Sequence, residues 1–366
     1  MTAENSYDTL KALLGRNSER IKGVLIIVVA ADHNDWFRQL APNLFEPLTF
    51  HVLGFFLLAF TFGTKEWSLS FIADRIARYL IPYWWALSAT TLAFFLMYHG
   101  HSTASDSLSA WWLAMLIGNA PFTKSASGLL MLWFLPALFG LTCLLAVFDS
   151  FRSHRVKRFG FGLALVAHLV TPLMPASFML WLPFGFAIAI NIFFLGLVWR
   201  KLLNRQLPKM WGPIVTTMFI LSYGILASGP THLEIATFEL AGINDPKTLF
   251  LQDLAGMMGV LTVVWLVSLP KQFQWLEIIG KNSLLVYLIH PVAYVVIGKL
   301  LPFASANVTS PLMLLTIGCL TTCMAVGLAL TLSVLMARFT LFSAWITPKN
   351  WEQWPPANYF QRLGCS

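Results

Sequence analysis

Read for hydropathy alone, the chain is a succession of apolar stretches separated by short polar breaks. These stretches fall near residues 20–40, 45–63, 78–98, 129–148, 159–175, 178–199, 211–228, 249–269, 283–301 and 311–337. Many approach or exceed the roughly 20 residues that a helix needs to cross a hydrocarbon layer about 30 Å thick. A lipid-exposed span must satisfy its own backbone hydrogen bonds, so runs of this length predict α-helices. The pattern therefore predicts an all-α integral membrane protein with about ten transmembrane helices. It is weakest in two places. The first run is interrupted by Asp32, His33, Asn34 and Asp35, and residues 99–128 hold only the short apolar piece WWLAMLIGN, expected to be interfacial or re-entrant. No internal repeat and no long linker is visible.

Composition agrees with this. Of 366 residues, 57% are hydrophobic and 11% charged, against roughly 25% charged in a soluble domain; mean hydropathy is +0.70. With the amino terminus inside, twenty of the 24 Lys and Arg fall on inside segments. Only Arg38, Lys124, Lys247 and Lys299 fall outside. This positive-inside asymmetry predicts that both termini are cytoplasmic, and it accounts for the net charge of +8 without nucleic acid. The opening residues MTAENSYDTLKALLGRNSER have no apolar core, so they are expected to be a cytoplasmic segment (1–19) rather than a cleavable signal. A single membrane domain (20–340) and a cytoplasmic tail (341–366) follow, with no soluble appendage expected. The four cysteines show no metal spacing, and three lie in apolar runs as small hydrophobes. Neither disulfides nor a metal is indicated.

Ionisable side chains at membrane depth are costly and mark candidate sites. In IKGVLIIVVAADH, Lys22 and His33 are eleven residues apart. On a helix that brings both to one face, about 16 Å apart, roughly half the hydrocarbon thickness. The plain reading is an interfacial lysine and a chance histidine. The sharper one is a site reaching across the membrane, with a neutral imidazole able to act as general base. Asp32 and Asp35 point away from His33 on a continuous helix, but either could orient it if the chain breaks at DHND. His51 in TFHVLGFF and His290 in YLIHPVAY read first as hydrogen-bonded core histidines, with Pro291 marking an expected opening of the backbone. Asp253 reads equally as a packing residue or as a support for a base or a sugar hydroxyl.

Arg75 and Arg78 are three apart in ADRIARYLIPYWW and share a helix face. They are either positive-inside anchors or a phosphate clamp, because forked guanidinium donors match phosphate oxygens. The basic loop Arg152, Arg155, Lys157 and Arg158 reads first as topology and anionic lipid contact. No GxSxG, Walker, HExxH or CxxC pattern occurs, which weighs against serine hydrolases, NTPases and metalloproteases. Two other classes stay open on the residues alone: a multi-pass transporter or flippase of lipid-linked sugars, and a structural subunit of an export complex.

Four motifs in order resemble the bacterial acyltransferase-3 family of integral membrane acyltransferases. They are Lys22 to His33, the Arg75/Arg78 pair followed by IPYW, WFLPALF at Trp133–Phe139, and IGKNSLLVYLIHP at Ile279–Pro291. The family's usual glycine-histidine end to the first helix is Asp32-His33 here. The resemblance implies transfer of an acyl group, commonly acetyl from acetyl-coenzyme A as co-substrate, to a sugar hydroxyl. The acceptor would be a surface polysaccharide or its lipid-linked oligosaccharide precursor, at the bacterial inner membrane. It implies His33 as base or transient acyl carrier, Arg75 and Arg78 on the coenzyme phosphates, and Lys22 supporting the same pocket. In size and plan the chain is similar to stand-alone enzymes that decorate exopolysaccharides or O-antigens, including those of xanthan-type gum synthesis. Some of the fifteen tryptophans, such as Trp111 and Trp112, are expected to stack on sugars, although interfacial belts explain most.

Overall fold

The computed structural model describes residues 9–41, 50–62, 67–97, 104–127, 131–174, 181–228, 233–234, 239–240, 246–269, 273–300, 310–339 and 344–356. In chain order the helices are α1 (Leu10–Asp32), α2 (Asp35–Leu40), α3 (Phe50–Thr61), α4 (Leu69–Arg75), α5 (Ile81–Met97), α6 (Ala104–Ile117), α7 (Ala120–Ser127) and α8 (Phe134–Ser150). They continue as α9 (His154–Val170), α10 (Phe186–Leu202), α11 (Trp211–Ser228), α12 (Pro246–Ser268), α13 (Gln274–Lys281), α14 (Ser283–Leu300) and α15 (Pro311–Arg338). Two two-residue strands, Leu233–Glu234 and Glu239–Leu240, pair between α11 and α12. Lys65, Lys271, Arg362 and Cys365, and the start of the expected second span, lie outside the described residues.

Six of the expected spans coincide with described segments that are long and apolar enough to cross a membrane. These are Met131–Ser150, Pro183–Leu202, Trp211–Ser228, Thr248–Ser268, Ser283–Leu300 and Pro311–Met336. The other four differ in kind. The expected helix 20–40 starts earlier, at Leu10, and stops at Asp32. Residues 10–19 form the first turns of α1, with Thr9 capping them and Leu10, Leu13 and Leu14 buried. The described part of the second span is twelve residues long, and α9 covers 17 residues in place of 159–175. The third run is helical from Leu69 to Met97 but contains a π-helical segment at Ile76–Leu80, where the Ile81 N–H reaches back to the Ile76 carbonyl. Pro82 has no N–H to give Arg78, four residues back, and its ring clashes with that carbonyl; one inserted residue relieves the clash.

The chain divides into two compact units. One comprises residues 1–61, 198–233 and 241–334; the other comprises 62–197, 234–240 and 335–366. In the first, α1 is central and packs on α3, α12, α13 and α14. Its closest crossing is with α13. A Cβ on Gly23 would meet the backbone carbonyl of Leu276, and one on Gly280 would meet that of Glu19. Small residues at such a crossing let the two backbones approach closely.

In the second unit, Leu80, Phe139 and Cys143 form a buried cluster covered by Ile72, Ile76, Trp84 and Phe184. Tyr83 O–H donates to the Ala114 carbonyl and Trp84 Nε1–H to that of Met115 (3.2 Å). The WWLAMLIGN piece is the end of α6. It closes through Gly118 at φ +70° into α7, and the glycine is seated against Pro136. Residues 344–356 are tied down by Trp351 N–H donating to Asp74 Oδ1 at 3.0 Å.

Candidate active site

The break at DHND builds the site. α1 ends when Asn34 turns extended (φ −93°, ψ 113°). Its Oδ1 caps α2 by accepting the Trp36 N–H at 3.0 Å. Its Nδ2 donates towards Gly318 O (3.0 Å), Thr321 Oγ1 (2.9 Å) and Thr322 Oγ1 (2.8 Å), all on α15. Two amide hydrogens shared among three acceptors fix a side chain that is 2% exposed. Tyr294 of α14 donates its hydroxyl to the Ala30 carbonyl at 2.8 Å and lies 3.1 Å from Thr322 Oγ1. The end of α1 is thus held by α14 and α15, one turn or less from His33.

His33 is the C-cap of α1. Its Nδ1 lies 2.7 Å from the Val29 carbonyl. A carbonyl only accepts, so Nδ1 carries the proton in the neutral ring and Nε2 bears the lone pair. The His33 ring sits edge-to-face with His290, centroids 5.5 Å apart at 62°. His290 is fully buried and bonds through Nδ1 to Val286 O at 3.0 Å. Its Nε2 has no hydrogen-bond partner among the described residues. The expected opening at Pro291 does not occur: α14 runs through it. Pro291 leaves the Tyr287 carbonyl, four residues back, without its helical donor, which proline in membrane helices allows.

The third histidine, His51 on α3, is 2% exposed and its Nε2 lies 3.8 Å from Asp32 Oδ2. Asp32 is buried too, and Arg38 lies against it: Arg38 Nε–H donates to the Asp32 carbonyl at 2.7 Å, and Nη2 is 3.8 Å from Oδ2. Asp32 is the last residue of α1, before the break, and its carboxylate faces Arg38 and His51. Three imidazoles and one carboxylate therefore surround the end of α1. Such a group can take, hold and return a proton.

The remaining sequence candidates are placed as follows. Lys22 Nζ forms an ion pair with Glu19 Oε1 at 2.6 Å, one turn back on α1. Arg20 binds Glu277 of α13 through Nη2 (2.7 Å) and Nε (2.9 Å). Asp35 is exposed in the first turn of α2, and Asp253 is half-buried on α12. Arg75 and Arg78 belong to the second unit. Arg75 lies over the Phe71 ring at 4.8 Å, with its buried Nε lacking a partner among the described residues, and Arg78 is exposed over Tyr79 at 5.8 Å. Trp111 bonds Ser88 through Nε1 at 3.2 Å and stacks edge-on with Trp112, which is exposed.

Sequence reasoning passed over Asn34, Tyr294 and the Thr321/Thr322 pair. Asn34 had a legible signal, a polar residue with strong capping preference beside a histidine in an apolar run. Tyr294 and the threonines had none, because their partners lie 264 and 287–288 residues away in sequence.

A sequence model of the acyltransferase-3 family, described as an acyltransferase domain, matches residues 19–337. No curated protein and no solved structure matches the chain.

Proposed function

The chain belongs to the acyltransferase-3 family, and from that premise, which makes it an acyl-transferring membrane enzyme, we propose an O-acyltransferase that acylates surface polysaccharide. Its donor is acetyl-coenzyme A, its acceptor a sugar hydroxyl of the polysaccharide or of its lipid-linked precursor, and its seat the bacterial plasma membrane. One observation supports the chemistry above the rest: the His33 Nδ1–H to Val29 carbonyl bond, which leaves Nε2 as the basic nitrogen. His33 Nε2 takes the proton of the acceptor hydroxyl as that oxygen attacks the thioester carbonyl carbon. The carbon–sulfur bond breaks, and the proton passes to the departing thiolate.

Arg75 and Arg78 are assigned to the coenzyme phosphates by their forked donors. Lys22 is assigned a supporting charge near the middle of α1, about 16 Å along the helix from His33. The acceptor class follows the sequence resemblance to stand-alone polysaccharide acetyltransferases. The test is mass spectrometry of surface polysaccharide from cells carrying the wild-type protein, His33→Ala or none. Polymer that persists in all three while an ester is lost from the last two supports the reading, and the mass difference names the acyl group. Normal acylation with His33→Ala would end it.

A further inference from the structure

We propose that the carboxy-terminal stretch 349–354 forms one wall of the coenzyme site, with the Trp354 Nε1–H donating to a coenzyme phosphate oxygen. The proposal rests on the assignment of Arg75 and Arg78 above and adds an uncharged donor to it. The stretch is a built turn. Asn350 Oδ1 accepts the Gln353 N–H at 3.0 Å, and Gln353 Oε1 accepts the Lys349 N–H at 3.3 Å, around a single 3-10 turn at Trp351–Gln353. That turn packs on α4 and on the π-helical segment Ile76–Leu80, the two stretches that carry Arg75 and Arg78. Its anchor is the Trp351 N–H on Asp74 Oδ1 at 3.0 Å, one residue before Arg75. The Trp354 ring lies 5.1 Å from that of Trp351, which keeps it at the same joint.

Two donors on these elements are buried and have no acceptor among the described residues: Arg75 Nε and Trp354 Nε1. Buried donors are nearly always bonded, and an indole N–H can only donate. A ligand rich in acceptor oxygens accounts for both. Phosphate is such a ligand, and a guanidinium accompanied by a neutral N–H suits it. Coenzyme A carries phosphate in two places, as a diphosphate and on the ribose, so the two donors need not meet on one oxygen. An anionic lipid headgroup offers the same oxygens to basic cytoplasmic segments, and the experiment below separates the two sources.

Full-length protein in detergent is assayed with polymer from a strain lacking the protein as acceptor and with two donors. One is acetyl-coenzyme A; the other is S-acetylpantetheine, which presents the same thioester without any phosphate. Trp354→Phe keeps an aromatic ring and removes the Nε1–H. It is expected to raise KM for acetyl-coenzyme A about tenfold, the usual worth of a hydrogen bond to a charged group, with kcat and the KM for S-acetylpantetheine unchanged. Equal effects on the two donors would make Trp354 a packing residue and overturn the proposal, as would no effect on either. Asp74→Ala and Asp74→Asn keep the test decisive if Trp354→Phe is poorly folded. Both remove the carboxylate charge, but only asparagine keeps an oxygen for the Trp351 N–H. Asp74→Ala should therefore show the higher KM for acetyl-coenzyme A, and equal values overturn the proposal. Reconstitution into phosphatidylcholine vesicles with and without phosphatidylglycerol separates the phosphate sources. A Trp354→Phe defect that appears only with phosphatidylglycerol makes the lipid headgroup the ligand and overturns the coenzyme assignment. Arg75→Ala distinguishes this failure from that of the underlying reading. If it raises KM for acetyl-coenzyme A and Trp354→Phe does not, only the carboxy-terminal wall is lost; if neither does, the arginine assignment itself falls.

Discussion

The middle of α1 and its C-terminal end both carry polar groups and handle them in opposite ways. Near Lys22 the charges pair across short distances, Lys22 with Glu19 and Arg20 with Glu277 of α13. Backbone meets backbone there through Gly23 and Gly280. At the His33 end the backbone stops being helical. There His33 meets His290 ring to ring beside the looser Asp32–Arg38 and Asp32–His51 pairs (3.8 Å each), and two buried imidazole nitrogens, His51 Nδ1 and His290 Nε2, have no hydrogen-bond partner among the described residues. Paired ions at a tight crossing suit a structural joint. An incompletely paired cluster at a helix break suits chemistry, because unsatisfied groups persist only where the fold holds them.

The largest effect should come from removing the reactive end. His33→Ala is expected to lower acyl transfer by roughly 10²–10⁴-fold, the usual contribution of a positioned base. The thermal melting of the protein in detergent should hardly move, since the helix break is held by Asn34 rather than by His33. A collapse in melting temperature would instead make His33 part of the joint and erase the contrast between the two regions.

Gly280→Val probes the joint at the middle of α1. Its Cβ would overlap the Glu19 carbonyl, and overpacking of that kind costs about 1–3 kcal/mol or more. The expected reading is a lowered melting temperature with activity lost only in proportion to folded protein. Gly15→Ala is the matched control: its Cβ meets nothing within 4 Å, so relief of a mid-helix glycine should stabilise by about 0.5–1 kcal/mol. If both glycine variants behave alike, the crossing is looser than the structure requires.

Asn34 lies between these extremes in size and in meaning. Asn34→Ala removes the α2 cap and the bonds to α15, a loss of about 1–2 kcal/mol by capping energies. It should also lower kcat, because His33 then rests on a less defined backbone. Loss of stability alone, with unchanged kcat per folded molecule, would restrict Asn34 to the fold.

Much of this was legible in the sequence, and what was not has identifiable reasons. Six spans could be read from length and hydropathy, because in lipid those quantities decide helix formation. The break at DHND was legible from capping chemistry. The early start of α1 was not: Leu10, Leu13 and Leu14 at helical spacing sit in a segment whose charges dominate its composition. The π-helical turn before IPYW follows from Pro82, but only once the surrounding helix is seen to continue through it. At the site, the histidines stood out by type, whereas their grouping depends on α1, α3 and α14 meeting, and no local pattern encodes that. The direction of Asp32 towards Arg38 and His51 rather than along α1 was likewise set by the break and by tertiary neighbours.

The smallest effect distinguishes the two regions of α1 most finely. If Lys22 contributes charge to coenzyme binding, Lys22→Met should raise KM for acetyl-coenzyme A and leave kcat alone. The Glu19 partner at 2.6 Å already neutralises part of that charge, and partly exposed pairs are worth no more than about 1 kcal/mol. The increase should therefore stay within roughly fivefold. Glu19→Gln supplies the sign check. Releasing the ammonium from its partner should lower KM if Lys22 faces the coenzyme phosphates, because more positive charge is then available to them. If Lys22→Met and Glu19→Gln change only the melting temperature, the pair belongs to the α1–α13 joint and Lys22 has no part in coenzyme recognition.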